Sequence, residues 1–134
     1  MFLFMKTNSS EKNVVIKKAA VIDDERDICY LLGNTLRKMS YEVLIATTLE
    51  KGLAEVCEKR PEIVFLDINM PDGSGLECIR TIRRCSPKTK VIIMSAMDGP
   101  PEKNKAEREG ASVFLSKPFN NKTITLAIEK SKEN

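Results

Sequence analysis

The stretch Ile63-Val64-Phe65-Leu66-Asp67-Ile68-Asn69-Met70-Pro71-Asp72-Gly73-Ser74-Gly75 decides the fold. Its first four residues form an unbroken apolar run of branched and aromatic side chains, which predicts a buried strand. Asp67 closes the run, and a turn rich in Asn, Pro, Asp and Gly follows at once. One carboxylate therefore stands at the carboxyl end of a strand, the place where open α/β sheets bind ligands and do chemistry.

The same pattern repeats on either side. Ala19-Ala20-Val21-Ile22 runs into Asp23-Asp24, Val91-Ile92-Ile93-Met94 runs into Ser95, and Val113-Phe114-Leu115-Ser116 runs into Lys117. Tyr41 to Ala46 is a further strand candidate. The segments between these runs have helical period: Ile28, Leu31, Leu32, Leu36 and Met39 fall on one face, as do Leu49, Leu53, Val56 and Cys57, then Leu76, Ile79 and Ile82, and last Ile124, Ala127 and Ile128. Five strand–helix units of this kind predict an α/β domain around a parallel sheet. Pro61 and Ser86-Pro87 close the second and third helices, and Gly110 is expected as the C′ residue of the fourth. That fourth helix is the odd one: residues 102–109 contain a single apolar side chain, Ala106, so it is expected to be short or mobile.

A chain of 134 residues with 42% hydrophobic side chains has the size and core of one domain. Residues 1–17 are expected to form a flexible N-terminal extension and residues 18–134 the domain, with no second domain after Lys132. Met1-Phe2-Leu3-Phe4-Met5 is too short and lacks the basic flank of a secretory leader, and no apolar run has the length of a membrane span, so a cytoplasmic protein is expected. With 22 basic and 19 acidic residues interspersed there is no basic block, and binding to nucleic acid or membrane is not expected. The absence of histidine excludes a Ser-His-Asp triad, histidine metal ligands and a phosphohistidine carried by this chain. Cys29, Cys57, Cys78 and Cys85 lie in helical segments without CxxC spacing and are expected as reduced thiols packed in the core.

Taken singly, each site candidate has an ordinary explanation. Asp23-Asp24 before Glu25 could cap a helix, Asp67 could start an Asx turn, Ser95 could end a strand, and Lys117 could be a solvated charge. Together, Val21-Ile22-Asp23-Asp24-Glu25, Phe65-Leu66-Asp67-Ile68-Asn69-Met70-Pro71-Asp72-Gly73, Ile93-Met94-Ser95-Ala96 and Phe114-Leu115-Ser116-Lys117-Pro118-Phe119 resemble the receiver domain of two-component response regulators, over about Lys18 to Lys132. The four blocks keep the family's order, and each sits at the end of a strand candidate.

The resemblance implies a flavodoxin-like fold with strand order 2-1-3-4-5 and helices on both faces. It implies a single-domain regulator that takes a phosphoryl group on Asp67 from a histidine kinase or phosphotransfer partner with Mg²⁺, and that catalyses only its own phosphorylation and dephosphorylation. Asp23, Asp24, Asp67 and the backbone carbonyl of Asn69 would be the metal site, and Lys117 and Ser95 would meet phosphoryl oxygens. Ser95 and Phe114 would be the switch pair, coupling the site to an effector surface on the fourth helix, fifth strand and fifth helix. The resemblance also implies a cis Lys117-Pro118 bond. Phe114 departs from the tyrosine often found there. Side chains 69 and 97, Asn and Met, would govern water access to the site. Two alternatives stand beside this reading: a relay intermediate that passes the phosphoryl group to a histidine phosphotransfer protein, and an aspartate-nucleophile phosphatase. The phosphatase needs an acid two residues after the nucleophile, where this chain has Asn69, which cannot transfer a proton.

Overall fold

The computed structural model describes residues 15–96 and 100–133. Most of the expected extension, residues 1–14, and Met97 lie outside the described residues. The strands are β1 (Lys17–Ile22), β2 (Tyr41–Ala46), β3 (Ile63–Asp67), β4 (Lys90–Ser95) and β5 (Val113–Ser116). The helices are α1 (Arg26–Lys38), α2 (Leu49–Lys59), α3 (Ile79–Cys85), α4 (Pro100–Glu109) and α5 (Asn121–Lys132). A 3-10 turn over Gly75–Cys78 leads into α3. The five strands form one parallel sheet in the order β2-β1-β3-β4-β5, the expected flavodoxin-like arrangement.

Strand periodicity divides the core between the two faces of the sheet. Ala20, Ile22, Val64, Leu66, Val91 and Ile93 face α2, α3 and α4, where they meet Val56, Ile79, Ile82 and Ala106. Ala19, Val21, Phe65, Ile92 and Met94 face α1 and α5, where they meet Leu32, Leu36, Ile124 and Ile128. Residues 63–67 of β3 are all buried, as expected of a central strand covered on both sides.

Helix ends follow local chemistry. Asn120 and Thr123 form a reciprocal capping box that starts α5, and the Thr48 hydroxyl accepts from the Lys51 amide at the start of α2. Gly110 (φ +107°) closes α4 as expected: its amide bonds the Glu107 carbonyl, and the Ala111 amide bonds the Ala106 carbonyl, a Schellman arrangement. α4 is thus a regular helix of ten residues, not a fragment, but Ala106 is the only buried side chain among its described ones.

One expectation fails. Cys57 and Cys85 are joined in a disulfide, so only Cys29 and Cys78 are the buried free thiols foreseen for all four cysteines. The two residues are 28 apart in sequence, and no local spacing signals the pairing. It arises because α2 and α3 pack side by side on the same face of the sheet and bring Cys57 and Cys85 to a Cα–Cα distance of 5.2 Å.

Candidate functional site

The carboxyl ends of four strands bring the expected residues together. Asp67 is the last residue of β3 and pairs in register with Met94 of β4, whose next residue, Ser95, is buried at the end of its strand. Asp23 directly follows β1, held by its amide to the Ala46 carbonyl at 3.1 Å. Lys117 directly follows β5, and its amide donates to the Ser95 carbonyl at 2.8 Å, so the lysine and the hydroxyl move on a shared backbone frame. Lys117-Pro118 is cis, as the resemblance implied.

Lys117 is the electrostatic centre. Its Nζ lies 2.9 Å from Glu25 Oε1, 3.0 Å from Asp23 Oδ2 and 3.4 Å from Asp67 Oδ1. Burial alone would push the lysine pKa down, but the carboxylates of Glu25 and Asp23 beside it outweigh that and hold Lys117 above its ordinary value, so it stays charged. Desolvation dominates on the acids. Burial, reinforced by the charge of Asp23, pushes the Asp67 carboxyl up to about 6 against the pull of Lys117 and the Asn69 amide. Burial also raises Asp23, opposed by the Glu25 amide, which donates to Asp23 Oδ1 at 2.8 Å, and by Lys117. Two carboxylates with one lysine between them form a site short of positive charge.

The loop after β3 is held to this site by its own residues. The Asp72 carboxylate accepts from the Leu49 amide at 2.9 Å and the Glu50 amide at 3.1 Å, capping the start of α2 from a distant loop; these bonds hold its pKa below the usual carboxylate range. Asn69–Met70 pairs antiparallel with Gly73–Ser74, and the Gly75 amide closes the turn on the Ile68 carbonyl at 2.8 Å. Gly75 sits so close to the backbone of Asp67 that a Cβ there would run into the Asp67 carbonyl oxygen.

The structure therefore gathers Asp23, Asp67, Ser95 and Lys117 at one edge. Asp24, the other expected acid, is exposed and is not one of the three carboxylates that lie within 4.8 Å of one another; Glu25 takes that place beside Asp23 and Asp67. The sequence singles out Asp23-Asp24 as the possible helix cap and gives Glu25 no role, yet Glu25 is the residue at the N-cap of α1. Its salt bridge to Lys117 depends on how the chain turns after β1, which periodicity does not encode. Phe114 is half-buried on β5, in register with Ile93, and packs against the face that carries α4. It lines a groove of about 550 Å³ with Lys103, Ala106, Glu107, Lys130 and Glu133.

The acids also pass a test of fit for a hard divalent cation. Asp23 Oδ2 is buried and lacks a well-aligned hydrogen bond, although Lys117 stands 3.0 Å away as an ion pair. Paired with a single ammonium, this buried oxygen keeps lone-pair capacity that a metal cation could take up. The three clustered ligand atoms are carboxylate oxygens, the ligand type of Mg²⁺ or Ca²⁺, while no histidine exists and the one thiol nearby, Cys29, donates to the Asp23 backbone carbonyl at 3.2 Å.

Comparison with known proteins gives the family and agrees with the fold. Residues 19–129 match the response regulator receiver domain family. The chain is 31% identical over 115 residues to the chemotaxis protein CheY of Thermotoga maritima, covering 85% of this chain and 96% of that protein. It is 37% identical over 99 residues to the KDP operon transcriptional regulatory protein KdpE of Escherichia coli, covering 74% of this chain but only 44% of that longer protein. Among solved structures, the CheY-like receiver domain protein of Methanospirillum hungatei superposes with a TM-score of 0.81 at 26% identity, covering 90% of this chain and 100% of that chain. The BeF3-activated receiver domain of DrrB, from Thermotoga maritima, gives 0.80 at 28% identity, covering 90% and 100%.

Proposed function

The chain belongs to the response regulator receiver family, and on that premise we propose that it is a phosphorylation switch of two-component signalling, with Asp67 as phosphoacceptor and a histidine kinase or histidine phosphotransfer protein as donor. The observation that carries this reading is the enclosure of Asp67 between Asp23, Lys117 and the buried Ser95 at the sheet edge. In the reaction a carboxylate oxygen of Asp67 attacks phosphorus, an O–P bond forms, and the P–N bond to the donor imidazole breaks. Lys117, held charged, neutralises a phosphoryl oxygen, and the Ser95 hydroxyl donates to another. Asp23 and Asp67, which form one carboxylate cluster with Glu25, would hold Mg²⁺ with the backbone carbonyl of Asn69, and Asp24, exposed beside them, would be the further acid ligand. The metal, when bound, supplies the remaining positive charge against the incoming phosphoryl group.

Modification replaces the single charge of the Asp67 carboxylate with a phosphoryl group that carries about −1.5 to −2 and three acceptor oxygens, which draws the Ser95 hydroxyl and Lys117 inward. Because the Lys117 amide is bonded to the Ser95 carbonyl, movement there reaches β5 and Phe114. Phe114 lines the groove between α4 and β5, which favours effector docking near α4, β5 and α5 over onward relay to a histidine. A cytoplasmic location suits the donors, and no described helix is long and apolar enough to cross a membrane.

The test is incubation with a small-molecule phosphodonor, with and without Mg²⁺, followed by intact mass measurement. A single acid-stable, base-labile phosphoryl adduct that requires the divalent ion and is lost in Asp67→Asn is expected. An adduct that survives Asp67→Asn contradicts the assignment.

A further inference from the structure

The disulfide between Cys57 and Cys85 lies at the amino-terminal edge of the sheet, at the opposite end of the molecule from Asp67, and plays no part in the phosphoryl chemistry. It closes a loop that contains all of β3, the Asp67 carboxylate and the turn over residues 68–75. The cross-link thus encircles the segment that carries the reactive acid. It joins the last residue of α3 to a residue near the end of α2, two helices whose apolar residues Val56, Ile79 and Ile82 pack in one cluster beneath it.

Cys57 and Cys85 are half-buried, whereas the two cysteines left free are buried. The bonded cysteines are therefore the ones with surface open to a reagent. Within three residues of one or the other in sequence stand five exposed cations, Lys59, Arg60, Arg83, Arg84 and Lys88, against two acids, Glu55 and Glu58, of which Glu55 pairs with Lys59 at 3.9 Å. Such a cationic setting attracts an anionic thiolate and stabilises the thiolate left when the bond opens.

We propose that Cys57–Cys85 is a reversible covalent modification site, a cystine that exchanges with a dithiol reductant and so ties the stability of the Asp67 segment to the redox state of its surroundings. One thiolate of the reductant attacks a cystine sulfur. The S–S bond breaks, a mixed disulfide forms, and the released cysteine thiolate takes a proton from water. The second thiol of the reductant, as thiolate, then displaces the remaining cysteine, which is protonated in turn. Two electrons have passed to the protein, both cysteines are thiols, and the reductant carries the disulfide. A cystine reachable by such reductants behaves as a responsive bond rather than a permanent staple. This reading takes the cytoplasmic setting from the proposed function, but its test does not use phosphorylation.

The full-length protein is equilibrated, without denaturant, in dithiothreitol and oxidised dithiothreitol mixtures of graded ratio, quenched with an alkylating agent and mapped by peptide mass. The expected result is a reversible two-electron transition in which residues 57 and 85 gain or lose the alkyl label together while Cys29 and Cys78 stay unlabelled. Reduction should lower Tm by about 10 °C in the parent chain and leave a Cys57→Ser/Cys85→Ser variant unmoved. If the parent remains fully labelled at both positions in oxidised reagent, the bond does not form and the inference fails. It also fails if the cystine resists dithiothreitol until the protein is unfolded. Should the double variant not fold, Cys57→Ala/Cys85→Val supplies the same control with apolar side chains.

Discussion

Lys117 Nζ reaches Asp67 Oδ1 at 3.4 Å although their strands, β5 and β3, are separated in the sheet by β4. The lysine spans the end of an intervening strand to do so, and the same ammonium also meets Asp23 and Glu25. Replacing it removes the counter-charge of two buried carboxylates at once. Lys117→Met is expected to lose about 3 kcal/mol at pH 7.5 in urea unfolding without divalent ions. The loss should shrink at pH 4, where the acids can be neutral. A loss of the same size at both values would mean that the charge of the acids is not what Lys117 offsets.

Asp67 itself works against folding at neutral pH. Its folded-state pKa of about 6 lies above that of the unfolded chain, about 4. Between those values the folded state holds a proton that the unfolded chain has released, so the stability contributed falls as pH rises through the window. Above it, the ionised carboxylate costs about 2 kcal/mol in the metal-free protein. Asp67→Asn should therefore be more stable than the parent at pH 7.5 in EDTA, and the two should converge near pH 3.5. Denaturant midpoints across that range measure it, and coincident curves at pH 7.5 would refute it.

Gly75 bears on the position of Asp67 through the backbone alone. A methyl group there meets the Asp67 carbonyl oxygen, and the turn must shift to admit it. Gly75→Ala should cost about 1–3 kcal/mol and slow phosphoryl uptake more than Gly33→Ala, where the added carbon meets only the flexible end of Arg37. Comparable uptake rates in the two variants would show that the close approach has no functional weight.

Asp72 is a cap that a distant loop lends to α2. Its depressed pKa means that its contribution is present above the ordinary carboxylate value and disappears as pH falls through its lower folded-state value. Asp72→Ala should lower Tm at pH 7 and leave it unchanged in strong acid. The backbone amides of residues 49 and 50 should exchange faster in the variant, and unchanged exchange would count against the cap.

The strand ends were legible in the sequence because each couples an apolar run to a polar residue, and a parallel sheet aligns such ends by construction. Asp23, Asp67, Ser95 and Lys117 meet for that reason. What escaped depends on geometry beyond a period of 2 or 3.6. Which acid turns inward after Ile22 is set by the bend into α1, which brings Glu25 and not Asp24 to Lys117. Cys57 and Cys85 each read as ordinary helical core positions, and their juxtaposition depends on how two helices distant in sequence pack side by side. Asp72 looked like a turn residue and is one, but its partners lie 22 and 23 positions earlier in the chain.

With Ala106 its only buried side chain among those described, and an exposed Arg80–Glu109 ion pair tying it to α3, α4 is held by little. Burying one methyl group and forming one solvent-exposed pair together supply on the order of 1–2 kcal/mol, a few multiples of thermal energy. Moving this helix to suit a visiting surface therefore requires little work. Specificity in such an encounter is then chosen by the visitor's fit to a yielding wall, and a single added leucine on the inner side of α4 would make that wall rigid.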